Sequence, residues 1–440
     1  MLNTCSLTPW RQGLTRGGWG KESPLRIARV WRAGVRCASE RPFLKRMPAL
    51  AANVGLALAS ATLTLAALEA LARVTDEAAG PPTPALYTEH DPLLGWRHRP
   101  GVKVDFPQGS YAINSMGLRD EERGYASADG AQRILVLGDS FAEGFSVRFE
   151  DSVSQVLERE LRSTGCAVDV INGGVVGYST DQEYLLYRKD AARYGARVVV
   201  LFFFYNDIVA NVLDSTGRAS KPRLSCEDGS LRLLNDPVPA PSRPGRETLH
   251  LHPPYPLGSA ALEWIRKRLS AYPTAYRATA RLRLWEAPQP GPPPEELKVF
   301  KRRIPRAERH AWICTTRLLQ ALNDEVKAHG ARLLVAYVPS KMEVSGRDWG
   351  LTRLEYDLDD GQWDRGKVAR DLAGAGDNVG FPVLDLTAAL RRADSPILGG
   401  PYHAHGGHWN ALGHRVAGES VGHFLRAQGW LTPCRSTPTP

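Results

Sequence analysis

The stretch Arg133-Ile-Leu-Val-Leu-Gly-Asp-Ser-Phe-Ala-Glu-Gly144 decides the fold and points to the chemistry. Its apolar run, Ile134–Leu137, is too short for a helix and rich in β-forming residues, so it predicts a buried parallel strand. Gly138 permits a sharp turn, and Ser140 then follows the carboxyl end of the strand, where open α/β sheets bind their ligands. A serine there can be a nucleophile if a base is within reach. Gly, Asp and Ser are also ordinary turn residues, so this stretch alone leaves both interpretations open.

Predicted strands and helices alternate along the rest of the chain. The further strands are Ala167–Ile171, Val198–Phe204, Arg332–Val338 and Val383–Leu386. Helices are predicted near Ser152–Leu161, Asp181–Ala192, Arg306–His329 and Ala411–Leu425. This alternation indicates a mostly parallel sheet covered by helices on both faces. A Pro- and Arg-rich interruption, about residues 212–300, is interpreted as an insertion near the mouth of the site, partly helical around Ala260–Tyr276.

The N-terminal residues carry nearly all of the net charge. Residues 1–46 contain ten Lys and Arg against two Glu, an excess of eight in a chain of net charge +9. The remainder is almost neutral, which argues against a nucleic-acid partner. Pro48–Leu68 has no charge and is about as long as a bilayer is thick. The positive-inside rule then predicts a cell-membrane protein with one span, a cytoplasmic tail and an extracytoplasmic domain, periplasmic or extracellular.

These features predict four regions along the chain. They are a basic, disordered tail at 1–46, a transmembrane anchor at 47–74, a linker with an irregular lead-in at 75–130, and the main domain at 131–430. A cleaved signal peptide is the closest alternative to the anchor, since Ala70-Leu-Ala72 has the small-x-small form of a cleavage site. Met47 is an alternative start of the protein.

Four cysteines follow the anchor, Cys166, Cys226, Cys314 and Cys434. Disulfides are permitted outside the cytoplasm, and three pairings remain open. The chain has no Cys-x-x-Cys pair, and the closely spaced His403, His405 and His408 are joined by no carboxylate or thiol. We therefore predict neither a metal nor a cofactor.

Polar or Gly-rich groups follow three of the predicted strands, and a fourth group precedes the last helix. Because the carboxyl ends of neighbouring parallel strands meet at one edge of a sheet, these groups are expected to converge. Acyl transfer needs a nucleophile, a base and donors to a developing oxyanion. Ser140 is the candidate nucleophile and His408 the base. The N–H groups of Ser140 and Gly177 and the side-chain amide of Asn206 are the candidate oxyanion donors.

The four groups resemble, in order, the sequence blocks of the SGNH/GDSL hydrolase superfamily. The blocks are Gly138-Asp-Ser140, the glycine of Asn172-x-x-x-x-Gly177, Asn206-Asp207 and His408, within residues 133–427. The resemblance implies a flavodoxin-like three-layer α/β/α sandwich with a mostly parallel sheet, the SGNH hydrolase fold. It also implies an enzyme that acts on ester bonds. Asn114–Asp120 and Pro339–Lys341 further resemble a bacterial membrane-anchored subgroup related to alginate O-acetyltransferase-like proteins of exopolysaccharide assembly.

The chain departs from the family pattern at two places. Phe204 stands where the family usually has a glycine, a change expected mainly to alter packing. The family commonly has an Asp two or three residues before its catalytic histidine, where this chain has Gly406 and His405. His408 is then expected to be held by a backbone carbonyl, by His405 or by the distant Asp394, or to act in a Ser–His dyad.

Other polar residues near the blocks receive structural interpretations. Asp139 is expected to anchor its loop by accepting backbone N–H groups, with Asp207 as a possible supporting residue. Asp181 and Glu183 look like ordinary acids in the first turn of a helix. His414 is expected to cap or pack the last helix.

The function predicted from these residues is a serine esterase. It would cleave O-acyl esters, O-acetyl above all, of an extracytoplasmic glycan or lipid through an acyl-Ser140 intermediate, with polysaccharide-assembly proteins as possible partners. An O-acyltransferase would use the same groups, so it remains an alternative. The missing acid before His408 motivates a further alternative, a non-catalytic scaffold subunit.

Overall fold

The computed structural model of the chain describes residues 42–75, 83–106, 109–127, 130–216, 219–226, 230–241, 259–269, 272–282, 284–285, 291–395, 399–403 and 406–431. Most of the expected basic tail, the linker at 76–82 and His405 lie outside these ranges.

The chain divides into two units, residues 1–63 and 64–440. The described part of the first unit belongs to a long helix, α1 (Pro42–Thr75), which begins before the expected start at Met47. Among the described residues, α1 is the helix long and apolar enough to cross a membrane, over Ala51–Leu71, and none of that span is buried.

The lead-in contains regular structure that the sequence did not predict. It forms two antiparallel hairpins, in chain order β1 (Thr88–Asp91) with β2 (Gly95–His98) and β3 (Lys103–Phe106) with β4 (Gly109–Ala112). These strands have only four residues each, so no periodic pattern marks them. Tyr87 and Tyr111 are completely buried beside them and stack at 4.5 Å, so packing stabilises the lead-in.

Two further sheets follow the lead-in. Their strands are β5 (Gln132–Gly138), β6 (Val168–Asn172), β7 (Val198–Phe204), β8 (Leu224–Ser225), β9 (Arg232–Leu233), β10 (Arg332–Val338) and β11 (Val383–Asp385). Strands β8 and β9 form an antiparallel pair, and the other five form a parallel sheet in the order β11-β10-β7-β5-β6. In β5, Leu135 and Leu137 enter one core while Ile134 and Val136 enter the other. The sheet is thus buried on both faces, which explains its continuous apolar runs.

Helices cover both faces of the parallel sheet. The helices after α1 are α2 (Ser140–Glu143), α3 (Val153–Ser163), α4 (Thr180–Lys189), α5 (Asp207–Ala210), α6 (Ala260–Leu269), α7 (Pro273–Arg281), α8 (Arg306–Ala328), α9 (Lys341–Val344), α10 (Gly346–Tyr356), α11 (Lys367–Val379), α12 (Thr387–Ala393) and α13 (Ala411–Ala427). Apolar residues of α3, α12 and α13 share the core of Ile134, and those of α4, α8 and α11 share that of Leu135. The result is the expected three-layer α/β/α sandwich.

The insertion is tied to the sandwich by a covalent bond. Cys226, which follows β8, forms a disulfide with Cys314 of α8, 88 residues away. This is one of the pairings that the sequence left open. Helices α6 and α7 stand where a single helical region was expected around Ala260–Tyr276.

Candidate active site

Steric crowding fixes the turn that carries Ser140. Gly138 has a φ of +146°, and a Cβ there would lie 2.8 Å from the Cβ of Ala142 and 2.9 Å from the carbonyl oxygen of Phe202. The Asp139 carboxylate accepts a hydrogen bond from the N–H of Phe141 at 2.9 Å, which starts α2 at Ser140. Asp139 therefore anchors the turn, as expected, and Ser140 is held just beyond the end of β5.

The structure brings His408 to Ser140. The Ser140 Oγ lies 2.8 Å from the Nε2 of His408, across 268 residues of sequence. The His408 ring packs against the rings of Phe141 and Phe145, with centroids 5.2 and 5.3 Å away. The pair has the spacing of a nucleophile and its general base.

The segment around His408 is braced by hydrogen bonds. The carbonyl of His408 accepts from the N–H of His403 at 3.0 Å. Asn410 caps α13 by accepting from the N–H groups of Leu412 and Gly413, and its amide donates to the carbonyl of Gly400 at 2.8 Å. These contacts fix the backbone from which the histidine ring projects.

Asp394, the candidate orienting acid, pairs with a guanidinium. The Asp394 carboxylate accepts from the Arg347 guanidinium at 3.2 Å, which pairs it with α10. His405, the other side chain proposed for this role, lies outside the described residues. The rings of Phe141 and Phe145 pack against the His408 ring and constrain its orientation.

The second sequence block packs directly on the turn of Ser140. A Cβ on Gly174 would lie 2.2 Å from the backbone nitrogen of Glu143 and 2.6 Å from the carbonyl carbon of Ala142. The N–H of Val175 donates to the carbonyl of Gly138 at 3.0 Å. Gly177 ends this loop, exposed and with a φ of +75°. The loop after β6 is thus bound to α2, and its glycines permit the approach.

The third block follows β7, the strand next to β5. Asn206 begins α5, and its side-chain amide makes no hydrogen bond to any described residue; its Oδ1 is buried. Because β6, β5 and β7 are consecutive in the sheet, Gly177, Ser140 and Asn206 follow the carboxyl ends of three neighbouring strands. A side-chain amide to which no described residue is hydrogen-bonded is suited to donate to an incoming oxyanion.

A group of buried carboxyls lies behind the site. Burial raises the pKa of Asp139 to about 7, and nearby Glu143 adds to the effect. Burial followed by the charge of Asp207 raises the pKa of Glu183 well above its usual range, and burial followed by Asp139 does the same to Asp207. Among the described residues, neither carboxylate oxygen of Glu183 has a hydrogen-bond partner.

Two of these carboxyls lie where the sequence predicted them. Asp181 and Glu183 are both in the first turn of α4, as expected, and both are fully buried, which the sequence did not predict. The buried Lys221 ammonium donates to Asp181, so one acid has a cation beside it. Asp207 is also buried, where its carboxylate accepts from the Thr180 hydroxyl at 3.4 Å. This bond joins the first residue of α5 to the first residue of α4.

A second buried cluster, absent from the sequence prediction, binds the lead-in to α2. Tyr111 donates a hydrogen bond to the Glu143 carboxylate, and the Nε2 of His98 lies 3.3 Å from the same oxygen. The Arg119 guanidinium donates to the carbonyls of Glu143, Gly144 and Val147. All these side chains are buried, so the lead-in holds the helical turn that begins with Ser140. We call Tyr111, His98, Arg119 and Glu143 the lead-in cluster.

His414 and the group of Cys226, His310 and Cys314 have packing or covalent roles. His414 is buried edge-on against Trp409, and burial lowers its pKa to about 3, so it packs as expected. Cys226, His310 and Cys314 are the one metal-like group within the described residues. Their two sulfurs form the disulfide, with the His310 ring 3.6 Å from Cys314.

A parallel α/β sandwich with a serine and a histidine paired at the carboxyl edge of its sheet has the architecture of a serine hydrolase. The sequence model of the GDSL-like lipase/acylhydrolase family matches residues 136–416, more than half of the chain. The protein belongs to this family and is a hydrolase that acts on esters.

Solved structures of similar fold include members of the same family. A lipolytic protein of the G-D-S-L family from Desulfitobacterium hafniense is 12% identical, with a TM-score of 0.32 over 67% of this chain and 99% of that one. A lipase/acylhydrolase from Enterococcus faecalis is 11% identical, with a TM-score of 0.34 over 70% and 100%. An acetyl xylan esterase is 12% identical, with a TM-score of 0.32 over 67% and 99%. No curated protein sequence matches the chain. The family assignment rests on the sequence match.

Proposed function

We propose that the protein is a membrane-anchored serine esterase that removes O-acyl groups, O-acetyl above all, from an extracytoplasmic glycan or lipid. The observation that carries the proposal is the 2.8 Å contact between the Ser140 Oγ and the His408 Nε2. An unactivated hydroxyl is a weak nucleophile, and an adjacent imidazole removes its proton as it attacks. The family assignment supplies the class of bond that is broken.

The proposed reaction has two halves. The Ser140 Oγ attacks the ester carbonyl carbon while the His408 Nε2 takes the hydroxyl proton. The N–H groups of Ser140 and Gly177 and the amide of Asn206 donate to the oxyanion, each contributing about 10²–10³ in rate. The tetrahedral intermediate collapses, the C–O bond breaks, and the imidazolium returns its proton to the departing alcohol. Water, deprotonated by His408, then attacks the acyl-serine; the bond to Oγ breaks, the imidazolium returns its proton to Ser140, and the acid leaves.

Three features favour an extracytoplasmic site. Ala51–Leu71 can span a membrane, and the preceding residues have a strong excess of Lys and Arg, which marks the cytoplasmic side. The Cys226–Cys314 disulfide belongs to an oxidising compartment. Acylated envelope glycans and lipids are esters available on that side.

A fluorophosphonate probe tests the nucleophile directly, because it reacts only with an activated serine. We expect mass spectrometry of the labelled full-length protein to place the adduct on Ser140. His408→Ala should abolish labelling without unfolding the domain. Ser163→Ala, which alters an exposed serine at the end of α3, is the matched control and should label like the wild type. No adduct at Ser140 in folded protein would favour a scaffold over an enzyme.

The same groups could pass the acyl chain to a glycan hydroxyl instead of water. Acetyl release from an acetylated oligosaccharide, measured with and without an unacetylated acceptor, distinguishes the two reactions. Free acetate as the main product in both cases supports the esterase. Acetylated acceptor in excess over free acetate would reject hydrolysis in favour of an O-acyltransferase.

A further inference from the structure

The insertion places a pair of helices beside the end of the apolar helix. The Glu69 carboxylate accepts hydrogen bonds from the Ser259 hydroxyl at 2.7 Å and from the N–H of Ala261 at 3.1 Å. All three residues belong to the unit 64–440. Glu69 lies two residues before Leu71, the last residue of the candidate span. The start of α6 is therefore fixed at the level where α1 leaves the apolar layer of a membrane.

One side of the helix pair is attached to the sandwich. Tyr276, Ala280 and Trp285 form a small apolar core with Leu354 of α10. The Arg266 guanidinium donates to the hydroxyl of Tyr276 at 3.2 Å, which joins α6 to α7. Helices α6 and α7 therefore pack together, and their buried side chains contact the domain.

Large apolar and aromatic side chains of α6 and of both ends of α7 are exposed. Trp264 is 44% exposed, Tyr272 is 67% exposed and Leu282 is 71% exposed. Arg277 and Arg281 are exposed on α7 one turn apart. Residues 259–282 carry five basic side chains against one acidic side chain. Trp and Tyr at such a position, together with an excess of Arg and Lys, match the headgroup region of an anionic bilayer.

The distance along α6 from Ala261 to Trp264 agrees with a lipid bilayer as the binding partner of this surface. The headgroup layer of each leaflet is about 5–8 Å thick, the difference between the whole bilayer and its hydrocarbon core. Trp264 lies three residues beyond Ala261, about 4.5 Å along the helix. Whether α6 runs along the membrane or away from it, the backbone of Trp264 therefore lies no further from the level of Glu69 than the headgroup layer is thick.

We infer that α6 and α7 form a docking surface for the headgroups of an anionic lipid bilayer, on the side of the membrane where the catalytic domain lies. Trp264, Tyr272 and Leu282 enter the interface, and Arg277 and Arg281 bind lipid phosphates. The chain thereby holds the membrane at a second place besides α1. This inference rests on the membrane anchoring proposed above and is independent of the chemistry at Ser140.

Quenching by brominated lipid tests this contact in the full chain. The protein is placed in nanodiscs of phosphatidylcholine and phosphatidylglycerol, with or without bromine on the acyl chains. The chain has eleven tryptophans, so Trp264→Phe should remove a quenched component of about one-eleventh of the emission. Trp430→Phe is the matched control and should leave the quenched component intact. Equal quenching of the wild type and Trp264→Phe would overturn the inference, as would a chain that does not enter nanodiscs.

A charge reversal tests the lipid specificity. Arg277→Glu combined with Arg281→Glu should lower the Trp264 quenching at least twofold in discs with phosphatidylglycerol and change it little in discs of phosphatidylcholine alone. Arg392→Glu combined with Arg415→Glu, at exposed positions of α12 and α13, should change neither. Hydrolysis of a soluble ester should persist in all these variants, which separates this inference from the proposed activity. Self-association of the chain through α6 and α7, with no lipid quenching, would replace the membrane by a second copy and refute the proposal.

Discussion

Gly174→Ala should separate the nucleophile from its base without touching either residue. A Cβ at position 174 would lie 2.2 Å from the backbone nitrogen of Glu143, inside the 3.0 Å below which Cβ atoms are essentially never found. The neighbour is backbone of α2, so relief requires a movement of about 0.8 Å by the turn that carries Ser140. If the turn moves by this amount along the line from the Ser140 Oγ to the His408 Nε2, their distance of 2.8 Å becomes about 3.6 Å. That distance is beyond hydrogen-bond reach.

Two effects of different size are expected from this change. Overpacking should cost at least about 1–3 kcal/mol of stability. A misplacement of about 1 Å in the site should lower kcat/KM about 10²-fold. Esterase activity on p-nitrophenyl acetate and the melting temperature measure these separately, provided the assay temperature is well below the transition.

Gly374→Ala is the matched control. Gly374 lies inside α11, and a Cβ there meets nothing within 4 Å. The added methyl group should stabilise the helix by about 0.5–1 kcal/mol and leave activity unchanged. If Gly174→Ala behaves like Gly374→Ala in both assays, the contact between the second block and α2 does not position the nucleophile.

Four further predictions concern the site, the buried charges and the disulfide. Ser140→Ala should lower kcat at least about 10⁴-fold while circular dichroism shows an unchanged fold; residual activity above a hundredth of wild type would contradict the assignment. Arg119→Met should lower the free energy of unfolding by about 3–5 kcal/mol in denaturant titrations, because three buried carbonyls lose their donor; a loss under 1 kcal/mol would refute this. Burial keeps the pKa of Glu183 raised in the fold, so its contribution to stability is present below the unfolded pKa and is lost as pH rises. The melting temperature of Glu183→Gln relative to wild type should therefore increase from pH 5 to pH 8, and a flat difference would count against a buried neutral acid. Replacing Cys226 and Cys314 by Ser should destabilise the domain by up to about 4–5 kcal/mol, the chain-entropy value for a loop of this length, and thiol titration of the denatured wild type without reductant should find neither sulfur free.

The sequence predicts the sandwich well because its strands are buried on both faces. Val198–Phe204 is a continuous apolar run, as is Arg332–Val338 after its first residue, and the structure has strands with those bounds. The contact of Ser140 with His408 could be predicted from the order of the four sequence blocks, because the parallel sheet brings the residues that follow its strands to one edge. The roles of Gly177 and Asn206 in binding an oxyanion remain predictions.

The features that the sequence did not reveal depend on contacts between distant segments. The hairpins of the lead-in are too short to show a period and are stabilised by buried aromatic rings. Glu183 has the position of an acid in a first helical turn, and only the layer packed over it makes it a buried one. The acid that the family commonly has before its histidine is missing from this sequence, and Asp394, one candidate for its role, pairs with Arg347.

The lead-in cluster limits how far the enzyme can be shortened. The family match begins at residue 136, yet Arg119, Tyr111 and His98 all lie before it and contact the turn of Ser140. A truncation at the family boundary would leave the Glu143 carboxylate and three carbonyls buried beside an empty space. A shortened chain that keeps its activity should therefore start near Thr83, after α1 and ahead of the first hairpin.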